Sequence, residues 1–141
     1  MPETITGGCL CEKIRYSISL KKSLDEIKAN YCHCTMCRKA SGSPLAAFFM
    51  VPKEDVTFSG SLQLSKYQSS ENCLRGFCPN CGSQLTWERV GSDIYDFGLG
   101  TLDNPHIIQP QYHLWCENKI VPILNGPKYA QYTDGPLIND E

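Results

Sequence analysis

Seven of the nine cysteines fall into three clusters, Cys9-x-Cys11, Cys32-x-Cys34-x-x-Cys37 and Cys78-x-x-Cys81. Clustered thiols at these spacings suit metal ligation. Disulfides are the rival reading, but an odd count and no leader-like segment speak against a framework of bridges. The most specific cluster is Phe77-Cys78-Pro79-Asn80-Cys81-Gly82-Ser83. A Cys-Pro-x-Cys-Gly turn aims both sulfurs at one point, and Gly82 relieves the strain where the chain turns with positive φ. Such a knuckle supplies half of a tetrahedral zinc site. A thioredoxin-like redox pair needs a βαβ context that this sequence does not offer.

Cys9-Leu10-Cys11, after Gly7-Gly8, places two sulfurs on one side of an extended segment, because side chains alternate with period two. Together with Cys78 and Cys81 they make a closed, four-thiolate structural site, in which binding energy becomes folding energy. Cys32, Cys34 and Cys37 supply three more thiolates, with a turn through Thr35-Met36 returning Cys37 to the others. Three protein ligands with a free fourth position is the arrangement of a catalytic zinc, suited here to holding an incoming thiolate or a small electrophile's oxygen. The alternative is a second closed site, completed by His33, Cys73 or Cys116. Alternation turns His33 away from its neighbours, and Cys116 reads as a small buried residue.

The elements that must position these groups read as short strands. Ile14, Tyr16, Ile18 and Leu20 alternate onto one face, Ala46 to Val51 reads as a strand buried on both sides, and Ser61 to Tyr67 alternates again. Gln84–Trp87 and Ile94–Leu99 resemble a hairpin about Val90-Gly91-Ser92-Asp93, and Tyr112–Trp115 is a late strand. Helical periodicity is scarce, with one short turn at Ser23–Lys28, and the tail from Pro122 reads as irregular. The expected class is therefore mainly β, in one domain over residues 1–141. A net charge of −2 excludes a protein that works mainly by binding nucleic acid. No apolar stretch is long enough for a membrane span, and the expected location is the cytoplasm.

The ordered set Gly8-Cys9-x-Cys11, Cys32-His33-Cys34-x-x-Cys37-Arg38-Lys39-x-Ser41-Gly42 and Arg75-x-Phe77-Cys78-x-x-Cys81-Gly82-Ser83 resembles one family. It is similar to the glutathione-dependent formaldehyde-activating enzymes, which include the centromere protein V-like proteins. The likeness runs from about Gly7 to Trp87, with weaker echoes at Gly100–Asp103 and His113–Trp115. It implies a β-tent fold, several small antiparallel sheets pinned by zinc. It also implies two zinc ions, a structural one on Cys9, Cys11, Cys78 and Cys81 and a catalytic one on Cys32, Cys34 and Cys37. The implied activity is that of a carbon–sulfur lyase joining glutathione, or another small thiol, to formaldehyde or a small carbonyl compound. Arg38 and Lys39 are candidates for attracting glutathione's carboxylates, and Arg75 reads as a brace for the knuckle. A zinc-stabilised binding module without catalysis is the alternative function. The chain is shorter than the formaldehyde-activating members, and Lys119–Pro122 lacks the tryptophan often found near there.

Overall fold

The computed structural model describes residues 3–120. The chain opens with the antiparallel pair β1 (Glu3–Gly8) and β2 (Arg15–Leu20), followed by β3 (Ala29–Cys32), α1 (Thr35–Ser41), β4 (Ala46–Pro52) and β5 (Val56–Ser59). It continues through β6 (Ser65–Ser70), β7 (Cys73–Phe77), β8 (Gln84–Arg89), β9 (Ile94–Gly98) and β10 (Tyr112–Leu114). These strands form a three-stranded sheet, β1-β2-β5, and a seven-stranded one in the order β10-β3-β4-β9-β8-β7-β6. Neighbours pair antiparallel except for β10, which joins β3 in parallel. The mainly β class read from the alternation is the class observed.

The core lies where the alternating strand of the sequence predicts it. Ile14, Tyr16, Ile18 and Leu20 are all buried, and the Tyr16 ring packs 4.4 Å from that of Phe97, centroid to centroid. Phe49 of β4, paired directly opposite Phe97, stacks beside it, while the Tyr16–Phe97 contact joins the two sheets. Gly7 crosses this core closely. A Cβ there would overlap both the Tyr16 hydroxyl and the Thr101 carbonyl, so only glycine fits. Asp103 ties the same corner together, accepting hydrogen bonds from the Thr6 hydroxyl at 2.6 Å and from Arg15 Nη1 at 2.9 Å. These donors, Arg15 above all, hold its carboxyl down at about 2.

Several local expectations change. β4 is not buried on both sides: Phe49 and Val51 enter the core, while Phe48 on the opposite face lines a cavity. The strand read from Ser61 begins at Ser65, because Leu62 and Leu64 pack against the core from an irregular segment. The turn near Ser23 is a short 3-10 helix, Leu24–Glu26, closed by a capping box between Ser23 and Glu26. Helix α1 was not legible, since Thr35–Ser41 carries no apolar stripe. Instead Cys34 caps its N-terminus, and Gly42, at φ +70, ends it in the left-handed conformation. The tail from Pro122 and the missing tryptophan's Val121 and Pro122 lie outside the described residues.

Candidate metal centres and the adjoining cavity

The first cluster forms where two chain turns meet. β1 ends at Gly8, and Cys9 to Cys11 lie in a tight turn rather than an extended segment, with Glu12 at φ +66. The period-two argument for Cys9 and Cys11 therefore gives way to turn geometry, yet the two sulfurs do converge. From the other side comes the knuckle, in which the Gly82 N–H donates to the Cys78 carbonyl at 2.9 Å with Gly82 at φ +78. The Cys9 and Cys11 sulfurs lie 3.5 Å apart, and those of Cys11 and Cys78 3.7 Å apart. Four thiolates around a zinc at 2.3 Å sit about 3.8 Å from one another, whereas a disulfide needs about 2 Å. The donor set therefore fits a tetrahedral zinc and not a pair of bridges.

Hydrogen bonds shape the sulfurs before any metal is considered. The Ile14 N–H points at Cys9 Sγ at 3.3 Å, and the Ser83 hydroxyl lies 3.1 Å from Cys81 Sγ. The Ser83 contacts hold the Cys81 thiol down at about 5, in the thiolate range at neutral pH. Asn80 similarly lowers Cys11, while burial raises Cys9. The Leu10 N–H donates to Ser83 Oγ at 3.0 Å, which links the turn directly to the knuckle.

Cys32, Cys34 and Cys37 form the second cluster, all three sulfurs lying within 4.8 Å of one another. Cys32 ends β3, Cys34 is the extended N-cap of α1, and the first helical turn brings Cys37 back. The returning turn read from Thr35-Met36 is thus the start of a helix. Among the described residues, no fourth His, Cys, Asp or Glu joins this group. His33 points elsewhere, its Nε2 lying 2.8 Å from Nδ1 of His113. Cys73 lines the cavity beside the cluster without joining it, and Cys116 is exposed rather than buried.

Arg75 does not brace the knuckle. Its two terminal nitrogens lie 3.6 Å from Cys37 Sγ, in a buried setting, and this contact lowers a thiol that Cys32 and burial push upward. Arg75 is therefore the cation that favours a charged Cys37. Sequence reasoning missed it because Arg75 belongs to β7, 38 residues from Cys37, and only strand order brings them together. Arg38 and Lys39 sit at the end of α1, and Lys39 lines a separate groove with Met36 and Tyr67.

The cluster opens onto a cavity of about 480 Å³. Its floor is one face of the seven-stranded sheet, crossing six neighbouring strands from β10 to β7. Asn30 and Cys32 come from β3, Phe48 from β4, Asp96 from β9, Trp87 and Arg89 from β8, and Cys73 and Arg75 from β7. Register explains the set: Asn30 lies opposite Phe48, Asp96 opposite Trp87, Trp87 opposite Arg75, and Arg89 opposite Cys73. Residues directly opposite one another share a sheet face. Thr35 and Met36 of α1 and the exposed Trp115 form the rim.

Burial pushes the Asp96 carboxyl up to about 6 from an ordinary 3.8. Between those two values the folded chain keeps a proton that the unfolded chain releases, so stability falls as pH rises through this window. Asp96→Asn removes the buried charge. The variant is expected to gain about 2 kcal/mol of unfolding free energy at pH 7.5, and nothing near pH 4. Urea unfolding at the two pH values checks this, and a variant less stable at both would make Asp96 a packing residue.

A three-stranded and a seven-stranded sheet, with one four-cysteine and one three-cysteine cluster that could each hold a metal ion, define a mainly β, metal-site protein. The family profile described as glutathione-dependent formaldehyde-activating enzyme matches residues 4–118, and the chain belongs to that family. A Schizosaccharomyces pombe protein named as an uncharacterized lyase is 41% identical over 85 residues. The match covers 60% of this chain and 57% of that relative, so the chain aligns with little more than half of the relative's length. A crystal structure of a Rhodobacter sphaeroides protein shares the fold with a TM-score of 0.59 at 19% identity, covering 77% of this chain and 98% of that one. Among the described residues, no helix is long and apolar enough to cross a membrane.

Proposed function

We propose that this protein is a zinc-dependent carbon–sulfur lyase that joins a small thiol such as glutathione to formaldehyde or a related small carbonyl compound. Cys9, Cys11, Cys78 and Cys81 hold the structural zinc, and Cys32, Cys34 and Cys37 hold the catalytic one. The observation that carries the reading is a three-cysteine cluster that opens onto a cavity with a buried arginine on one of its sulfurs. Family membership supports the substrate class.

When bound to three thiolates, zinc supplies an electron-rich centre with room for one further ligand, better suited to a thiolate than to activating water. The protein's own residues do the rest. Arg75 opposes the upward push that Cys32 and burial exert on the Cys37 thiol, and so favours the thiolate form that a metal ligand needs. Phe48 and Trp87 form apolar walls that displace water from the reacting atoms. Arg89 offers a cation on the cavity face for a substrate carboxylate. The thiol sulfur attacks the carbonyl carbon, the carbonyl π pair moves to oxygen, the proton released from sulfur ends on that oxygen, and the S-hydroxymethyl adduct, a hemithioacetal, leaves.

Exchange NMR with ¹³C-formaldehyde and glutathione tests the proposal. The zinc-loaded protein is expected to accelerate interconversion of free formaldehyde hydrate and adduct well above the buffer rate. Exchange at the buffer rate would favour the second reading, a zinc-stabilised binding module. That reading draws on the exposed Leu114 and Trp115 that line the cavity.

A further inference from the structure

We propose that Asp96 is a catalytic residue, its carboxyl group handing a proton to the carbonyl oxygen as the carbon–sulfur bond forms and taking it back in reverse. The inference rests on the thiol-adduct reading above and adds a residue that the cysteine pattern does not contain.

Three carboxylates are buried among the described residues: Asp55, Glu88 and Asp96. Asp55 receives Lys21 at 2.7 Å, and Glu88 receives Lys53 at 2.9 Å and Lys66 at 3.0 Å. Among the described residues Asp96 alone of the three has no ion-pair partner, and burial raises its pKa. A fold rarely keeps an unpaired buried carboxyl without a use for it, since its charge costs stability.

Asp96 is 9% exposed, and that remainder faces the cavity onto which Cys32, Cys34 and Cys37 open. The other charged or titratable groups facing that space are the three cysteines, Cys73 and Arg75 from β7, and Arg89 from β8. β4 contributes only the uncharged Phe48 and β10 only Leu114. Arg75 is engaged with Cys37, which leaves the Asp96 proton free for substrate. An acidity near 6 lets the group give and take a proton near neutral pH.

The step balances without an oxidant. The substrate thiol gives up its proton, and its sulfur lone pair forms the new carbon–sulfur bond. The carbonyl π pair moves to oxygen, which takes the Asp96 proton, and the carboxylate regains the proton that the thiol released. In the reverse direction the carboxylate removes the hydroxyl proton as the carbon–sulfur bond breaks.

Asp96→Asn and Asp96→Glu, each zinc-loaded, provide the test. For Asp96→Asn, kcat is expected to fall about a hundredfold while KM for glutathione stays within about twofold, because general acid catalysis contributes on that scale. The ionisation near pH 6 is expected to vanish from its kcat profile, and Asp96→Glu should restore part of both. Carboxyl ¹³C NMR of aspartate-labelled protein should show a resonance titrating near pH 6 that Asp96→Asn lacks, with zinc content unchanged. A loss confined to KM, with the pH profile intact, would make Asp96 a substrate anchor and overturn the proposal. So would an Asp96→Asn kcat equal to that of the unmutated protein. Unmutated protein that leaves exchange at the buffer rate would instead sink the thiol-adduct reading, and this assignment with it.

Discussion

Cys78→Ser is expected to unfold the protein or bring it to the edge of unfolding. Cys78 is fully buried, with its sulfur 3.7 Å from that of Cys11, 67 residues away in sequence. The four-cysteine site ties the end of β1 to the knuckle ahead of β8, two segments also linked by the Leu10 contact with Ser83. Structural zinc contributes on the order of 10 kcal/mol in small domains, comparable to the whole stability of a typical fold. Serine binds zinc poorly and leaves a small buried gap. A loss of at least about 4 kcal/mol is expected, equivalent to roughly 10–20 °C in melting temperature. Thermal melts with metal analysis check this, and a strong chelator should reproduce the collapse in the unmutated protein. A variant melting within a few degrees of the parent would show that the fold does not depend on the four-cysteine site.

Cys34→Ser is expected to separate chemistry from folding. Cys34 has two jobs: its sulfur belongs to the three-cysteine cluster, and it accepts the Cys37 N–H at 3.3 Å as the cap of α1. Serine is among the best N-cap residues, so the substitution keeps the cap while removing the thiolate. The expected result is one zinc lost per chain, thiol–formaldehyde exchange at the buffer rate, and a melting temperature close to that of the parent. Cys34→Ala loses the cap as well and should be less stable than Cys34→Ser by about 1 kcal/mol. Full metal content and undiminished exchange in Cys34→Ser would remove the three-cysteine cluster from the mechanism.

The contrast between these variants reflects how each site was legible. The knuckle at Cys78 to Gly82 is a local object: its hydrogen bonds run between residues four or five apart, and its glycine sits at the positive φ that the turn requires. Spacing alone reveals such a structure. The sulfurs of Cys9 and Cys11 do converge, but a turn and not an extended segment brings them together. Helix α1 was missed because a helix of 7 residues, held by a cysteine cap and a glycine stop, has no periodicity to detect.

By itself, the sequence determined the cysteine groups, the mainly β class and the inward face of β2. Each rests on relations between residues close in the chain, namely ligand spacing, turn chemistry and period-two alternation. Only the tertiary structure decided that Arg75 serves Cys37, that His33 turns to His113, and that Asp96 shares a cavity with the cysteines. Alternation says which residues of a strand share a face, but not which strands are neighbours. The cavity exists only once six strands, drawn from β3 through β10, are ordered side by side.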